Sequence, residues 1–222
     1  MKILDIPQIG KNGNMVSYRR PSGQFRRRYV VPNDPRTNIQ MQRRRTMKSL
    51  RLLWSALAQL QRAAWIAAGQ DHRTARRLNQ SGPLAGFLFF IKINFNLATI
   101  GLPPVFDPPE LPQFPENPVE ELAITNTNGA VAIQLRVVGR PTESVIVWAT
   151  RPRSAGTTYA DHFSILTVLP EPTGGVSDIT APFVAKYGQP PAGSRVFIEI
   201  IQQINGWQTL PKRYTALVPG PQ

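Results

Sequence analysis

Hydrophobic and polar positions near the N-terminus alternate with the period of two that is typical of a β-strand. Two such runs flank turn-forming residues at 21–23, so the pattern predicts a β-hairpin over residues 13–31. Alternation divides the second strand into two faces, and both faces carry arginine. One face is Phe25, Arg27, Tyr29 and Val31, and the other is Gln24, Arg26, Arg28 and Val30. A two-stranded ribbon is marginal alone in water, so this one needs its own domain, another subunit or a polyanion as partner.

From residue 39 the apolar residues recur in steps of three and four, which is the spacing of one helical face. The residues that share this face are Leu50, Leu53, Leu57, Leu60 and Ala64. The pattern predicts helices over 39–56 and 58–69, or one longer bent helix, with Thr37 or Asn38 as the N-cap. Residues 84–101 are the most apolar stretch, which suits either a buried helix or a strand.

Segment 102–118 contains seven prolines in 17 residues. Such a density favours a semi-rigid, extended linker. It predicts a boundary between an N-terminal domain at 1–101 and a C-terminal domain at 119–222. Apolar side chains within the segment indicate that it packs on a surface.

Beyond this segment the period returns to two. Five β-rich runs are separated by turn signals such as Asn128-Gly129 and Asn205-Gly206. Roughly seven short strands in about 100 residues suit an immunoglobulin-like or fibronectin-III-like antiparallel β-sandwich. Residues 178–193 are expected to form an irregular or helical crossover. The expected fold class is therefore α+β with two domains, a β-ribbon with helices followed by a β-sandwich.

Charge changes this picture because it is concentrated in one half. Residues 1–100 hold 18 lysines and arginines against three acids, whereas residues 101–222 hold eight against ten. A solvated surface usually mixes both signs, but this density of positive charge repels itself unless counter-ions or a polyanion neutralise it. Arginine suits phosphate because its guanidinium can donate two parallel hydrogen bonds. The candidate nucleic-acid-binding residues are Arg19, Arg20, Arg26, Arg27, Arg28, Arg36, Arg43, Arg44, Arg45, Lys48 and Arg51.

Three aromatic residues, Tyr18, Phe25 and Tyr29, interleave with these arginines. The favoured interpretation is that they pack on residues 39–69, because aromatic side chains usually serve cores. The alternative is that they stack on nucleic-acid bases.

Catalytic patterns are weak in this sequence. His72 beside Asp71 and His162 beside Asp161 are interpreted as loop pairs, since sequence neighbours rarely form a catalytic dyad. The chain has no cysteine, two histidines and no G-x4-G-K-[ST] phosphate loop. We expect no enzyme, no metal site, no cofactor and no small-molecule substrate. The apolar runs are too short for a membrane span, and the N-terminus does not read as a signal peptide, so cytoplasmic synthesis is expected.

Four segments together resemble a family of uncharacterised phage and prophage-type proteins. They are "GKNGNMVS", "NDPRTNIQMQRRR", the run W-x2-L-x3-QRAAW from Trp54 to Trp65, and "SGPLAGFLFFIKIN". The family patterns are GK-x-G-x-x-V, NPRT-x2-Q, W-x2-LT-x2-QR-x-AW and SG-x-N-x-F-x3-N, often followed by a sandwich-like domain. Ala58 stands where the family pattern has threonine, and Asp34 interrupts the NPRT run. The resemblance implies structural work in a virion or a virion-like particle.

These observations predict a non-enzymatic, self-assembling structural protein of the coat or virion type. Its arginine-rich half would contact nucleic acid through phosphates, without sequence preference, or would contact neighbouring subunits. The protein would form a homo-oligomer and reside in a virion or virus-like particle. One alternative is a sequence-specific DNA-binding regulator that uses residues 39–69 as a helix-turn-helix. Another alternative is an adhesion or extracellular filament module.

Overall fold

The structure is a computed structural model that describes residues 8–20, 23–31, 33–73 and 82–221. The described residues form four helices and several antiparallel sheets, so the expected α+β class is confirmed. The chain divides into two compact units, residues 1–89 and 90–222. No helix in the described part is long and apolar enough to cross a bilayer.

The first unit opens with a three-stranded antiparallel sheet. Its strands are β1 (Gly10–Asn12), β2 (Met15–Arg20) and β3 (Gly23–Arg28), with β2 in the centre. The predicted hairpin is thus confirmed for its two strands, while its turn at 21–22 lies outside the described residues. Strand β1 was not predicted, because its sequence GKN contains no apolar residue to show a period.

Two helices follow, α1 (Asn38–Ala56) and α2 (Gln59–Gln70), close to the predicted bounds. Thr37 caps α1: its Oγ1 accepts from the backbone N–H of Gln40 at 3.4 Å, and the Gln40 side chain accepts from the Thr37 N–H at 3.2 Å. The helices are separate because Leu57 and Ala58 both adopt extended backbone angles. Ala58 has no capping side chain, but Gln61 Oε1 accepts from its N–H at 3.2 Å.

The apolar stretch at 84–101 forms a helix, α3 (Gly86–Thr99). Phe89, Ile93 and Leu97 recur every four residues and are all buried, as one helical face requires. A glycine allows α2 and the start of α3 to approach closely, since a Cβ at Gly86 would lie 2.7 Å from the Ile66 backbone.

The described part of the second unit contains most of α3, eight strands and one further helix. The strands and the further helix are β4 (Val119–Thr127), β5 (Ala130–Val137), β6 (Ser144–Ala149), β7 (Ser164–Val168), β8 (Val176–Asp178), α4 (Thr180–Tyr187), β9 (Arg195–Ile204), β10 (Trp207–Gln208) and β11 (Lys212–Leu217). One sheet has the order β10-β9-β6-β7, with β11 also paired to β9, and the other has the order β4-β5-β8. All five predicted β-rich runs are strands, and the predicted crossover contains α4.

Both sheets and α4 contribute to one hydrophobic core. On β9 the inward residues are Val196, Ile198 and Ile200, which follow the period of two. On the other sheet Ile133 and Leu135 of β5 are fully buried. The second unit therefore has a core large enough to hold its sheets together.

Segment 102–118 is tied to other parts of the second unit. The Asn94 side chain donates to Val105 O at 3.1 Å and accepts from Val105 N at 2.7 Å. Trp207 Nε1 donates to Pro109 O at 3.1 Å, and Gln202 Nε2 donates to Pro115 O at 3.2 Å. The segment packs on a surface, as its apolar residues indicated, and the division between the compact units falls before it.

Candidate nucleic-acid interface

The eleven candidate basic residues lie on three elements and one connection. Strand β2 carries Arg19 and Arg20, β3 carries Arg26, Arg27 and Arg28, the connection before α1 carries Arg36, and α1 carries Arg43, Arg44, Arg45, Lys48 and Arg51. The Arg20 side chain is outside the described part of the structure. Every other candidate except Arg26 is exposed.

Helix α1 presents a basic stripe, which we define as Arg44, Lys48 and Arg51. Steps of four and three place these residues on one helical face, turned away from the buried Leu50. No acidic residue occurs anywhere in α1. The stripe is therefore a line of three exposed cations without an acid on the same helix.

Asp34 pairs with Arg44 of the basic stripe and with Arg36, which precedes the helix. Both terminal nitrogens of Arg44 donate to the Asp34 carboxylate at 2.8 Å, and Arg36 Nε lies 3.9 Å from the same group. The hydrogen bond from Arg44 lowers the pKa of Asp34 and raises the pKa of Arg44. Both side chains are exposed, so the pair adds little stability. Its consequence is that one end of the basic stripe is partly neutralised.

One face of the small sheet is polar. Arg26 Nε donates to Ser17 Oγ at 3.2 Å, and its Nη2 donates to Gln8 Oε1 at 2.8 Å. Gln24 holds the Gln8 backbone through two hydrogen bonds of 3.0 and 2.9 Å. Arg26 thus links strands and a preceding segment, which gives it a structural role that its neighbours do not share.

The opposite face, which we call the aromatic face, comprises Lys11, Tyr18, Phe25, Arg27 and Tyr29. The rings of Tyr18 and Phe25 are cross-strand partners with centroids 5.8 Å apart and planes within 17° of parallel. Lys11 Nζ lies 4.0 Å from the Tyr29 ring centre, and the Arg27 guanidinium lies 5.8 Å from that of Tyr18. The predicted division of β3 into two faces is confirmed by these contacts.

Sequence reasoning missed Lys11 as a member of this surface. Lys11 pairs with Val16 in the β1–β2 register, and this pairing brings its ammonium to the aromatic face. A lone lysine in a glycine-rich and asparagine-rich run gives no periodic signal. The Gly13-Asn14 pair between β1 and β2 was the sequence signal that could have indicated a further hairpin, and with it the position of Lys11.

The two histidines have different surroundings in the structure. His162 and Asp161 form an exposed pair 3.5 Å apart, and His72 lies against the Phe89 ring at 4.7 Å. No group of three or more metal-binding side chains occurs in the described part of the chain. The basic residues of the first unit remain the candidate site that the sequence predicts.

No protein-family model, curated protein or solved structure matches this chain. The resemblance to phage and prophage-type proteins stays a prediction based on its four quoted segments.

Proposed function

We propose that this chain is a non-enzymatic, self-assembling structural protein of the virion type, whose first unit contacts nucleic acid. The observation that carries the proposal is the exposed basic stripe on α1, in which Arg44 pairs with Asp34, together with the exposed arginines of the small sheet. Lys48 and Arg51 are exposed and form no ion pair within the described residues, so their charges are available to phosphate groups. A surface of this kind would bind any sequence, because phosphates carry no base information.

Self-assembly is supported by apolar side chains that remain exposed on the first unit. Leu52 on α1 is 62% exposed, and Leu60 and Ile66 on α2 are 84% and 51% exposed. Around Leu60 the exposed face of α2 consists of alanines at helical spacing, without a charged residue. Uncharged apolar surface is typical of the core of a protein–protein contact. We propose that copies of the chain meet through these helices.

We also propose a specific fold for the second unit. Two antiparallel sheets around a common core support an immunoglobulin-like or fibronectin-III-like sandwich. Its near-neutral charge suits a surface that faces outward or contacts neighbouring copies. The protein would then be synthesised in the cytoplasm and end in a virion or virus-like particle.

The alternative of a sequence-specific regulator receives little support from α2. A recognition helix needs exposed polar residues that can reach base edges in the major groove. The exposed side chains of α2 are mainly alanine, Leu60 and Ile66. A footprint confined to one DNA sequence would favour this alternative over the structural protein.

The first test measures binding of the purified chain to two unrelated nucleic acids from low to high salt. We expect similar affinities for both, and a log–log salt dependence with a slope of about −0.9 per phosphate contact. Arg27→Ser with Arg28→Ser should reduce this slope by about two units, since Arg26, which stabilises the sheet, is left in place.

Electron microscopy of the same samples tests assembly. Particles that contain nucleic acid in the wild type, and lose it in the double variant, are the expected result. A chain that binds no nucleic acid at low salt would contradict the nucleic-acid part. A chain that stays monomeric under all conditions would contradict the assembly part, and nucleic-acid-free filaments would favour the filament module.

A further inference from the structure

We propose that the aromatic face binds single-stranded nucleic acid by stacking bases on Tyr18, Phe25 and Tyr29. This inference rests on the proposed function and deepens it, because it names the form of nucleic acid that the first unit selects. Phosphate contacts alone would not distinguish a single strand from a duplex.

The geometry of the rings carries the first step. Tyr18 and Phe25 are cross-strand partners on β2 and β3, where their rings are stacked with planes within 17° of parallel, and both residues are half-buried. Tyr29 continues the same face of the chain beyond β3, where its N–H donates to Asn14 O, and its side chain is 42% exposed. In the described structure the ring contacts of Phe25 and Tyr29 are with side chains of this small sheet. The exposed ring of Tyr29 is therefore not part of a core.

The charges beside the rings carry the second step. Lys11 and Arg27 lie over the rings of Tyr29 and Tyr18, and no acidic residue occurs between positions 8 and 31. Cations beside flat aromatic rings match a polymer whose flat bases hang from a negative backbone. A protein or lipid partner would supply the negative charge without the bases. Charge complementarity combined with the rings therefore favours nucleic acid as the occupant.

The accessibility of bases carries the third step. In a duplex the base faces are covered by their neighbours, so a stacking surface cannot reach them. In a single strand each base has an open face, and stacking tolerates any sequence. The aromatic face would thus add affinity for single strands to the general phosphate attraction of the basic stripe on α1.

The experiment compares three probes against the full-length chain at one salt concentration. The probes are an oligothymidylate of about 20 nucleotides, an abasic backbone of the same length, and a duplex of the same length. The abasic strand keeps the phosphates and lacks the rings, so it isolates the stacking contribution. We expect the oligothymidylate to bind at least about fivefold more tightly than the abasic strand. The aromatic face should not increase the affinity for the duplex, because the bases of a duplex are covered by their neighbours.

Two variants assign the effect to the aromatic face. Tyr29→Ala and Phe25→Leu should each remove most of the preference for oligothymidylate, while leaving binding of the abasic strand within about twofold. Tyr29→Phe should retain the preference, because stacking needs the ring and not the hydroxyl. Tyr159→Ala is the matched control, because Tyr159 is 65% exposed and has the Arg213 guanidinium 5.0 Å from its ring centre. Tyr159 lies in the near-neutral second unit, so its substitution should leave the preference for oligothymidylate unchanged.

The results separate this inference from the proposed function. Equal, salt-sensitive binding of all three probes would overturn base stacking and leave phosphate contact standing. Loss of self-association in Tyr29→Ala, with an unchanged preference for oligothymidylate, would overturn it by making the face a subunit contact. Absence of binding to every probe would overturn both the inference and the nucleic-acid part of the proposed function.

Discussion

Two Asn-Gly pairs make the same kind of turn in different surroundings. Asn128-Gly129 joins β4 to β5, and Asn205-Gly206 joins β9 to β10, each as a two-residue loop with positive φ at both positions. A Cβ at Gly129 would meet open space, whereas a Cβ at Gly206 would lie 2.6 Å from the Ile93 backbone. The sequence predicts both turns equally well, but it does not show that one of them touches a helix.

The two glycines make a matched pair of stability tests. Gly129→Ala should lower the free energy of unfolding by about 1 kcal/mol, because alanine is strained at positive φ. Gly206→Ala should lower it by about 2–4 kcal/mol, because overpacking against Ile93 is added to the same strain. Urea denaturation of the two variants measures the difference. Equal losses would show that α3 does not press on this turn.

Three consecutive arginines on β3 also differ in what they do. Arg26 bonds Ser17 and Gln8 on the polar face, while Arg27 lies over the Tyr18 ring on the other. Strand alternation predicts this division of faces from the sequence. It could not predict the partner of Arg26, because Gln8 precedes the sheet and reaches it only through tertiary structure.

At the scale of elements, helices were easier to predict than strands. Helices α1 and α2 follow from local spacing, and Thr37 gave the start of α1. Strand β4 was missed because its register shifts between Val119 and Glu121, so its buried residues are three apart before the period of two resumes. Residues 84–101 were ambiguous because the run is mostly apolar, and its polar residues Lys92, Asn94 and Asn96 are spaced by two, as in a strand.

The basic stripe on α1 can be tested as one element. Substituting Arg44, Lys48 and Arg51 together with glutamine keeps helix propensity and removes three charges. We expect the salt-dependence slope for nucleic-acid binding to fall by about 2–3 units, with unchanged helix content by circular dichroism. The control replaces Arg136, Arg140 and Lys212, three exposed cations of the second unit, with glutamine. An equal loss in the control would mean that binding reflects net charge and not this helix.

At the scale of the whole molecule, charge and hydrophobic packing are divided between the units. The first unit has 17 basic and three acidic residues, while the large two-sheet core belongs to the second. The sequence alone predicted the charge asymmetry, because a count of charged residues in each half does not depend on the structure. Only the structure shows which cations are exposed and which are paired, as in the hydrogen bond between Arg44 and Asp34.

Salt should therefore stabilise the first unit in the absence of nucleic acid. Sodium chloride screens repulsion among its exposed cations, and a gain of about 1 kcal/mol would raise the melting temperature of a unit of this size by about 4–8 °C. Calorimetry at low and moderate salt measures this change, and hydrogen exchange assigns it to residues 8–73. The variant without the basic stripe should show a smaller rise. A melting temperature that falls with salt in the wild type would contradict the explanation.

The order of the units along the chain has a consequence during synthesis. The three-stranded sheet, α1 and α2 are built from neighbours in sequence, so their contacts close short loops. The second unit pairs β6 with β9, which lie about fifty residues apart, and it needs β11 near the end of the chain. Because the ribosome delivers the N-terminus first, the cationic unit can complete its fold while the β-rich unit is still unfinished. A nascent chain would then already carry a folded polycation when its last strands emerge.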